Sequence, residues 1–525
     1  MQLQLTHQSW QQHGCVYLQG CCYEANQLCP LSEVASRLAV CESVNQVVAC
    51  LQPLRGEFSV IIQKNNLQCI AVTHHRLYPL YYRKIGGRWH VSDRASCLFQ
   101  AGDELDNATS KQYFYTGAPF AGHTLVKGLA QCKPACVTQL HDNQAISTPF
   151  YTFFTPAITD NSSLSLAQQF EQVLRLIFGR VKQYVGDRQV VVPLSGGYDS
   201  RLIVAYLHQM GVKNLLCYTV GTNDESEQGI AHQVASKLGV PLYHVDYRNP
   251  VYRMQQFGSE LFMRFVDDMG NAGNFMWLFE YNAILWLRQQ GVLQPDAVFI
   301  PGHVGDFFAG SHLQKLGIRQ TDSVNDLQQK LLLHAFEYGK PYFDKAFCAD
   351  LKRALCKLGG GVDAASVVAL RFILQNRLAH QILNSARVYP LLGYEVLLPL
   401  CDVDFIQFFM RLPYAEWSNV SFYQQYLMQY VFEPLQIAFA KPNVAKQLPK
   451  QRLKNRIKKW LPRKVYLRIR KYQDTTTETY LLTEMLTELT GKPPVRAMQK
   501  YVSGNEVMLH WYYKQLKQQL LNFSV

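Results

Sequence analysis

The stretch Val191 to Ser200, VVPLSGGYDS, constrains this chain more than any other part of it. A β-branched apolar run over Gln189 to Val192 ends in a Ser-Gly-Gly turn, and an amphipathic segment over Arg201 to Met210 starts directly behind Asp199 and Ser200, both favoured N-cap types. The pattern predicts strand, tight loop and helix. Gly196 and Gly197 let the backbone approach a ligand with no Cβ in between, and the helix start offers unpaired N–H groups and the positive end of a helix dipole. Such a loop is suited to phosphate. The Walker A pattern needs a Lys after its second Gly, and none is present, which disfavours a P-loop NTPase.

Around this loop the hydrophobic pattern alternates. A helical stretch (Leu164 to Tyr184) precedes it, and a strand (Asn214 to Val220) follows. Next come a helix opened by Asp224-Glu225-Ser226-Glu227, with Ile230, Ala231, Val234, Ala235 and Leu238 on one face, and a further strand (Pro241 to Val245). Repeated βαβ units give a parallel sheet with helices on both faces and ligands at the carboxyl ends of its strands. Before residue 150 the texture differs. Short apolar runs such as Phe58 to Ile62, Gln68 to Val72 and Arg88 to Val91 are separated by Asn65-Asn66 and Gly86-Gly87, which reads as a β-rich layer. The turn-rich stretch from Pro149 to Ser163 marks the boundary.

A length of 525 residues predicts more than one domain, and 48% hydrophobic with 17% charged residues is ordinary for globular proteins. The opening residues lack a signal-peptide pattern and no apolar run is long enough to cross a bilayer, so a cytoplasmic protein is expected. The 14 cysteines then read as reduced, mostly buried thiols. Neither Cys21-Cys22 nor the pair Cys132 and Cys136 has a second pair at zinc-like spacing, and no structural metal is expected.

The loop Ser195-Gly196-Gly197-Tyr198-Asp199-Ser200 resembles the SGGxDS signature of the ATP pyrophosphatases, the PP-loop enzymes, and among them the asparagine synthetase family. The resemblance continues in order along the chain. Cys217 to Gly221 stands in place of a TFSxG strand end, and Pro301-Gly302-His303-Val304-Gly305-Asp306-Phe307-Phe308-Ala309-Gly310 in place of SGEGxDExxxG, keeping Gly302, Asp306 and Gly310. Glu395 to Asp402 stands in place of ExRxPFLD, keeping Glu395, Pro399 and Asp402, with Leu397 where the family has Arg.

The resemblance implies that Leu194, Ser195, Gly196, Gly197, Asp199, Ser200 and Gly302 bind ATP, with its phosphates on Ser195, Gly196, Gly197 and Ser200 and Val220 at the adenine. It implies Mg2+ on Asp199 and Asp306. It places Lys441, with Lys446 as its rival, at the transition-state charge, and Glu395 and His303 on the acceptor side. His303 replaces a Glu and suits either a general base or a hydrogen-bonded structural role.

In the first 150 residues, Arg55 to Val60, Val72 to Tyr82 and Val91-Ser92-Asp93 resemble the class II glutamine amidotransferase domain of the same family. That domain uses an N-terminal Cys as nucleophile, whereas Met1 here is followed by Gln2. Cys15, Cys21 and Cys22 read as core thiols, and the domain as a degenerate glutaminase.

Residues 1–150 are therefore expected to form an Ntn-hydrolase-like α+β sandwich, and 151–525 an α/β PP-loop (HUP-type) parallel-sheet domain with a helical C-terminal lobe. The expected activity is adenylation of a carboxylate (aspartate, a uronic acid or a peptide side chain), with pyrophosphate release and transfer of the acyl group to an amine. Ammonia would come free or from a separate glutaminase. A catalytically silent scaffold and a tRNA-modifying PP-loop enzyme are the alternatives. Much of the net charge of +13 lies in residues 446–471, where twelve Lys and Arg occur with no Asp or Glu. This segment reads as a solvated helical face, a peripheral contact with anionic lipid or, third, a nucleic-acid contact.

Overall fold

The computed structural model describes residues 1–523 apart from 121, 152–163, 222–225, 248, 253–256, 276–279, 337–342, 360–363 and 440–503. Lys441, Lys446 and the basic stretch 446–471 lie outside the described residues.

The first part builds three sheets from β1 (Gln2–Gln4), β2 (Gln11–His13), β3 (Val16–Gly20), β4 (Cys22–Glu24), β5 (Gln27–Cys29), β6 (Leu54–Arg55), β7 (Phe58–Gln63), β8 (Gln68–Val72), β9 (Tyr81–Ile85), β10 (Arg88–Ser92), β11 (Ala130–Gln131), β12 (Cys136–His141) and β13 (Gln144–Pro149). Six strands run in the order β13-β12-β8-β7-β3-β2, four as β1-β10-β9-β11, and three as β5-β4-β6. Period-2 alternation explains the layering. Along β7, Ile61 points into a cluster with Ile70, Val72, Tyr82, Val91 and Leu140 that joins the six-stranded sheet to the four-stranded one. Its neighbours Val60 and Ile62 point to the other face, where α1 (Leu31–Ala39) and α2 (Val44–Leu51) contribute Val34, Leu38, Val47 and Leu51. Because both faces are covered, β7 reads FSVII without polar alternation.

The helix α3 (Asn107–Thr116) stands between β10 and β11 in the first part, and α4 (Leu166–Val185) opens the second. Ser165 and Gln168 form a capping box at the start of α4, and Phe170, Leu174, Ile177, Phe178, Val181 and Val185 make its buried stripe. Strands β14 (Val190–Pro193), β15 (Leu215–Val220), β16 (Leu242–Val245), β17 (Val298–Phe299) and β18 (Glu395–Val396) form one sheet in the order β16-β15-β14-β17-β18, every pairing parallel. The fold is thus mixed α/β with a PP-loop-type parallel sheet and a helical region beyond it. The chain leaves β14 through α5 (Tyr198–Gln209) toward β15, whereas β17 lies on the other side of β14. Connections diverge at this point, and a crevice opens at the carboxyl ends of β14 and β17.

Helix α5 begins earlier than the capping pattern suggests: Gly197 is its N-cap, so Asp199 and Ser200 lie in its first turn and do not cap it. A glycine cap leaves the first N–H groups without a side-chain acceptor of their own. The helix after Asp402 spans Val403–Arg411, its N-cap carboxylate accepting from Asp404 N at 2.8 Å. The run Ser421 to Phe432 is α-helical over Ser421–Tyr426 and π-helical over Leu427–Phe432. Among the described residues no helix is long and apolar enough to cross a membrane.

Candidate nucleotide site

Two loops meet at the crevice. The first leaves β14 at Leu194, whose N–H is bonded to Tyr218 O (2.8 Å), and turns through Ser195, Gly196 and Gly197 into α5. Its hydroxyls close on one another: Ser195 N donates to Ser200 Oγ (3.1 Å), the two Oγ atoms are 3.1 Å apart, and Gly197 N donates to Ser195 Oγ (3.1 Å). The second leaves β17 through Ile300 to Asp306. These loops touch so closely that glycine is required twice. A Cβ on Gly302 would lie 2.5 Å from Ser200 N, and one on Gly305 would lie 2.8 Å from Asp199 Cγ.

Between the loops is a pocket of about 300 Å³ lined by Ser195, Gly197, Asp199, Ser200, Gly302 and Asp306, and closed from the C-terminal side by Val420, Tyr423 and Gln424. Asp199 Oδ2 accepts from Asp306 N (3.0 Å) and Oδ1 from the Tyr423 hydroxyl (2.8 Å). Burial, and next the neighbouring Asp306 charge, raises the Asp199 carboxyl well above the usual carboxylate range. Two carboxylates held together beside a phosphate-type loop are a poor arrangement for each other and a good one for a hard cation. The donor set is all oxygen and has room for phosphate oxygens and water, which fits Mg2+. Among the described residues no group of three or more His, Cys, Asp and Glu side chains could hold a metal by itself.

The valines at 304 and 420 both adopt left-handed backbone, at φ 59 and 64, an uncommon conformation for a β-branched side chain. They flank the pocket, Val304 within the second loop and Val420 in its wall, so the strain is concentrated at the site.

Val220 ends β15 at the same edge of the sheet; its carbonyl accepts from Gln228 Nε2 (3.0 Å), and the carbonyl of Gly221 lies 2.9 Å from His244 Nε2. His303 is half-buried on the second loop, 3.5 Å from Ser385 Oγ through Nε2. Desolvation pushes its pKa down to about 4, so the ring is neutral and weakly basic at neutral pH.

Glu395 is placed elsewhere. It pairs with Val298, which pairs with Val190, so it stands at the amino end of the sheet, away from the loops that follow β14 and β17. There its carboxylate is 2.7 Å from Arg188 Nη1 and faces a separate cavity of about 450 Å³ shared with Tyr78, Arg264 and Arg387. The strand register thus carries the Glu395 side chain to the edge of the sheet opposite the crevice.

The segment after β18 packs on the first part of the chain. Leu398 N donates to Glu57 Oε1 (2.8 Å), His74 Nε2 lies 2.5 Å from Cys401 O, and Arg55 pairs with Asp404 (3.1 Å). Arg180 of α4 holds Asp402 (3.0 Å) and Asp404 (2.8 Å). Tyr423 and Gln424 carry no sequence signal for the site, since no local spacing relates them to a loop more than 200 residues earlier.

A parallel sheet with a glycine-rich, carboxylate-bearing crevice at its switch point defines a PP-loop α/β protein. In agreement with this, residues 173–269 match the asparagine synthase family model. The chain is 26% identical over 134 residues to the glutamine-hydrolyzing GMP synthase of Alteromonas mediterranea, covering 23% of each chain. It is 30% identical over 135 residues to that of Xanthomonas axonopodis pv. citri, covering 23% of this chain and 24% of the relative. It thus spans about a quarter of the length of these relatives. The solved U34-tRNA thiolase NcsA of Methanococcus maripaludis is similar over 39% of this chain and 80% of its own, at 13% identity and a TM-score of 0.19, too low to define a shared arrangement.

Proposed function

We propose that the protein is an ATP-dependent, AMP-forming ligase that joins a carboxylate to ammonia or another amine. The observation that carries this reading is the convergence of the Ser195–Ser200 turn and the Asp199 and Asp306 carboxylates on one pocket, with the turn and Asp199 inside the segment 173–269 that matches the asparagine synthase family model. The N–H groups at the start of α5 and the hydroxyls of Ser195 and Ser200 would exchange their mutual bonds for pyrophosphate oxygens of ATP. Asp199 and Asp306 would hold Mg2+, which neutralises the β- and γ-phosphates of the leaving group. Tyr423 orients Asp199 for that task. Val220 would border the adenine, and His303, beside Ser385, would face the carboxylate undergoing adenylation. Lys441 is the proposed partner of the developing charge on the α-phosphate.

In this reading the first 150 residues act as a brace through Glu57, His74 and Arg55, and ammonia, where it is the amine, comes free or from a separate glutaminase. The test is formation of AMP and pyrophosphate from Mg-ATP with a panel of carboxylates including aspartate and uronic acids. Ammonium is compared with glutamine, and Asp199→Ala serves as control. Carboxylate-dependent AMP with ammonium supports the ligase. No turnover together with no ATP binding by calorimetry would leave a silent scaffold.

A further inference from the structure

Directly behind the phosphate-type loop sits a charge that the proposed chemistry does not use. Arg201, in the first turns of α5, is completely buried, with 0% exposure. Its guanidinium makes no ion pair with a carboxylate among the described residues. It donates instead to three backbone carbonyls: Nη2 to Gly196 O (3.0 Å), and Nη1 to Ile437 O (3.1 Å) and Phe439 O (3.0 Å). The faces of Tyr198 (5.6 Å) and Phe432 (4.8 Å) cover it. Burial lowers its pKa, as expected for a cation held by dipoles and rings alone. A buried unpaired charge is costly, and packing alone would be served by an apolar side chain of similar volume.

The peptide that it grips explains its place. In a trans peptide the C=O and N–H point in opposite directions. Arg201 draws the carbonyl of buried Gly196 inward, so the N–H of the same peptide, on half-exposed Gly197, is turned the other way, where it donates to Ser195 Oγ (3.1 Å) at the pocket that both residues line. Two consecutive glycines could otherwise let this peptide rotate and present a carbonyl to the phosphates. The same guanidinium ties the loop to residues 437–439, more than 230 positions later.

We infer that Arg201 is a positioning residue for pyrophosphate: it fixes the Gly196–Gly197 peptide with its N–H facing the anion and couples that orientation to the 437–439 segment. The inference rests on the proposed ATP reading and deepens it.

Binding of inorganic pyrophosphate with Mg2+ to the full-length chain, measured by calorimetry, tests it. Arg201→Ala should bind about ten- to a hundredfold more weakly, the value of one lost hydrogen bond to a charged group. Millimolar methylguanidinium should restore most of that loss, and Arg201→Lys should recover part of it without additive. Arg83→Met, which breaks a buried pair with Asp103 remote from the pocket, should lower Tm and leave pyrophosphate affinity unchanged. Wild-type affinity in Arg201→Ala overturns the inference. So does a weakening that neither methylguanidinium nor Lys relieves, since that assigns Arg201 to packing. If the wild-type chain does not bind pyrophosphate, the ATP reading itself falls and takes this one with it.

Discussion

Asp199 and Asp306 are adjacent carboxylates with opposite circumstances, one enclosed and bonded by Tyr423, the other exposed. In the free protein they repel, so Asp306→Asn should raise Tm slightly while lowering AMP formation by at least about a hundredfold, the scale of losing one preorganised electrostatic partner. Thermal denaturation without Mg2+ and steady-state AMP release check both halves; a variant that loses stability and keeps activity contradicts the site. Tyr423→Phe removes one hydrogen bond from Asp199 and should cost about fivefold in kcat/KM, with a higher Mg2+ requirement.

At the level of elements, the site depends on how closely the loop after β17 approaches the start of α5. Gly302→Ala would drive a Cβ into Ser200 N, 2.5 Å away, and a backbone atom cannot yield as a flexible side-chain end does. The expected result is lost ATP binding by calorimetry with about 1–3 kcal/mol of destabilisation in urea, and unchanged helix content by circular dichroism. A second contact of this kind joins α4 to the stretch after β18. Arg180 and Asp402 have side chains only 5% and 10% exposed, so Arg180→Met leaves Asp402 without its cation, while Asp404 keeps Arg55, and should cost about 3–5 kcal/mol in urea unfolding.

Across the whole molecule, the enclosure of Glu57 between the first part and Leu398 couples stability to pH. Burial raises its carboxyl to about 7 from an ordinary 4.5. Glu280, buried beside the Tyr389 hydroxyl, is raised to about 7 in the same way. Below about 4.5 folded and unfolded chains both carry these protons. Between about 4.5 and 7 only the folded chain retains them, so stability falls as pH rises through this window and levels off above it. Glu57→Gln keeps an acceptor for Leu398 N and should flatten part of that decline, leaving the variant more stable than wild type at pH 8 in urea titrations.

The sequence alone determined the features that are local in the chain. Strand, glycine turn and helix around Ser195 to Ser200 arise from neighbouring residues, as do the βαβ periodicity that yields a parallel sheet and the β-rich texture before residue 150. The pairing of Asp199 with Asp306 was legible through the family resemblance, and it forms because both residues sit just beyond strand ends that share one edge of the parallel sheet. Tertiary structure alone decided the rest. Strand register placed Glu395 at the edge opposite the crevice and in a pair with Arg188, which its motif did not indicate. Packing of the C-terminal helices supplied Tyr423 and gave Arg201 its carbonyl partners. Contacts between residues more than 200 positions apart depend on the summed geometry of everything between them, and no periodicity or spacing in the chain encodes that sum.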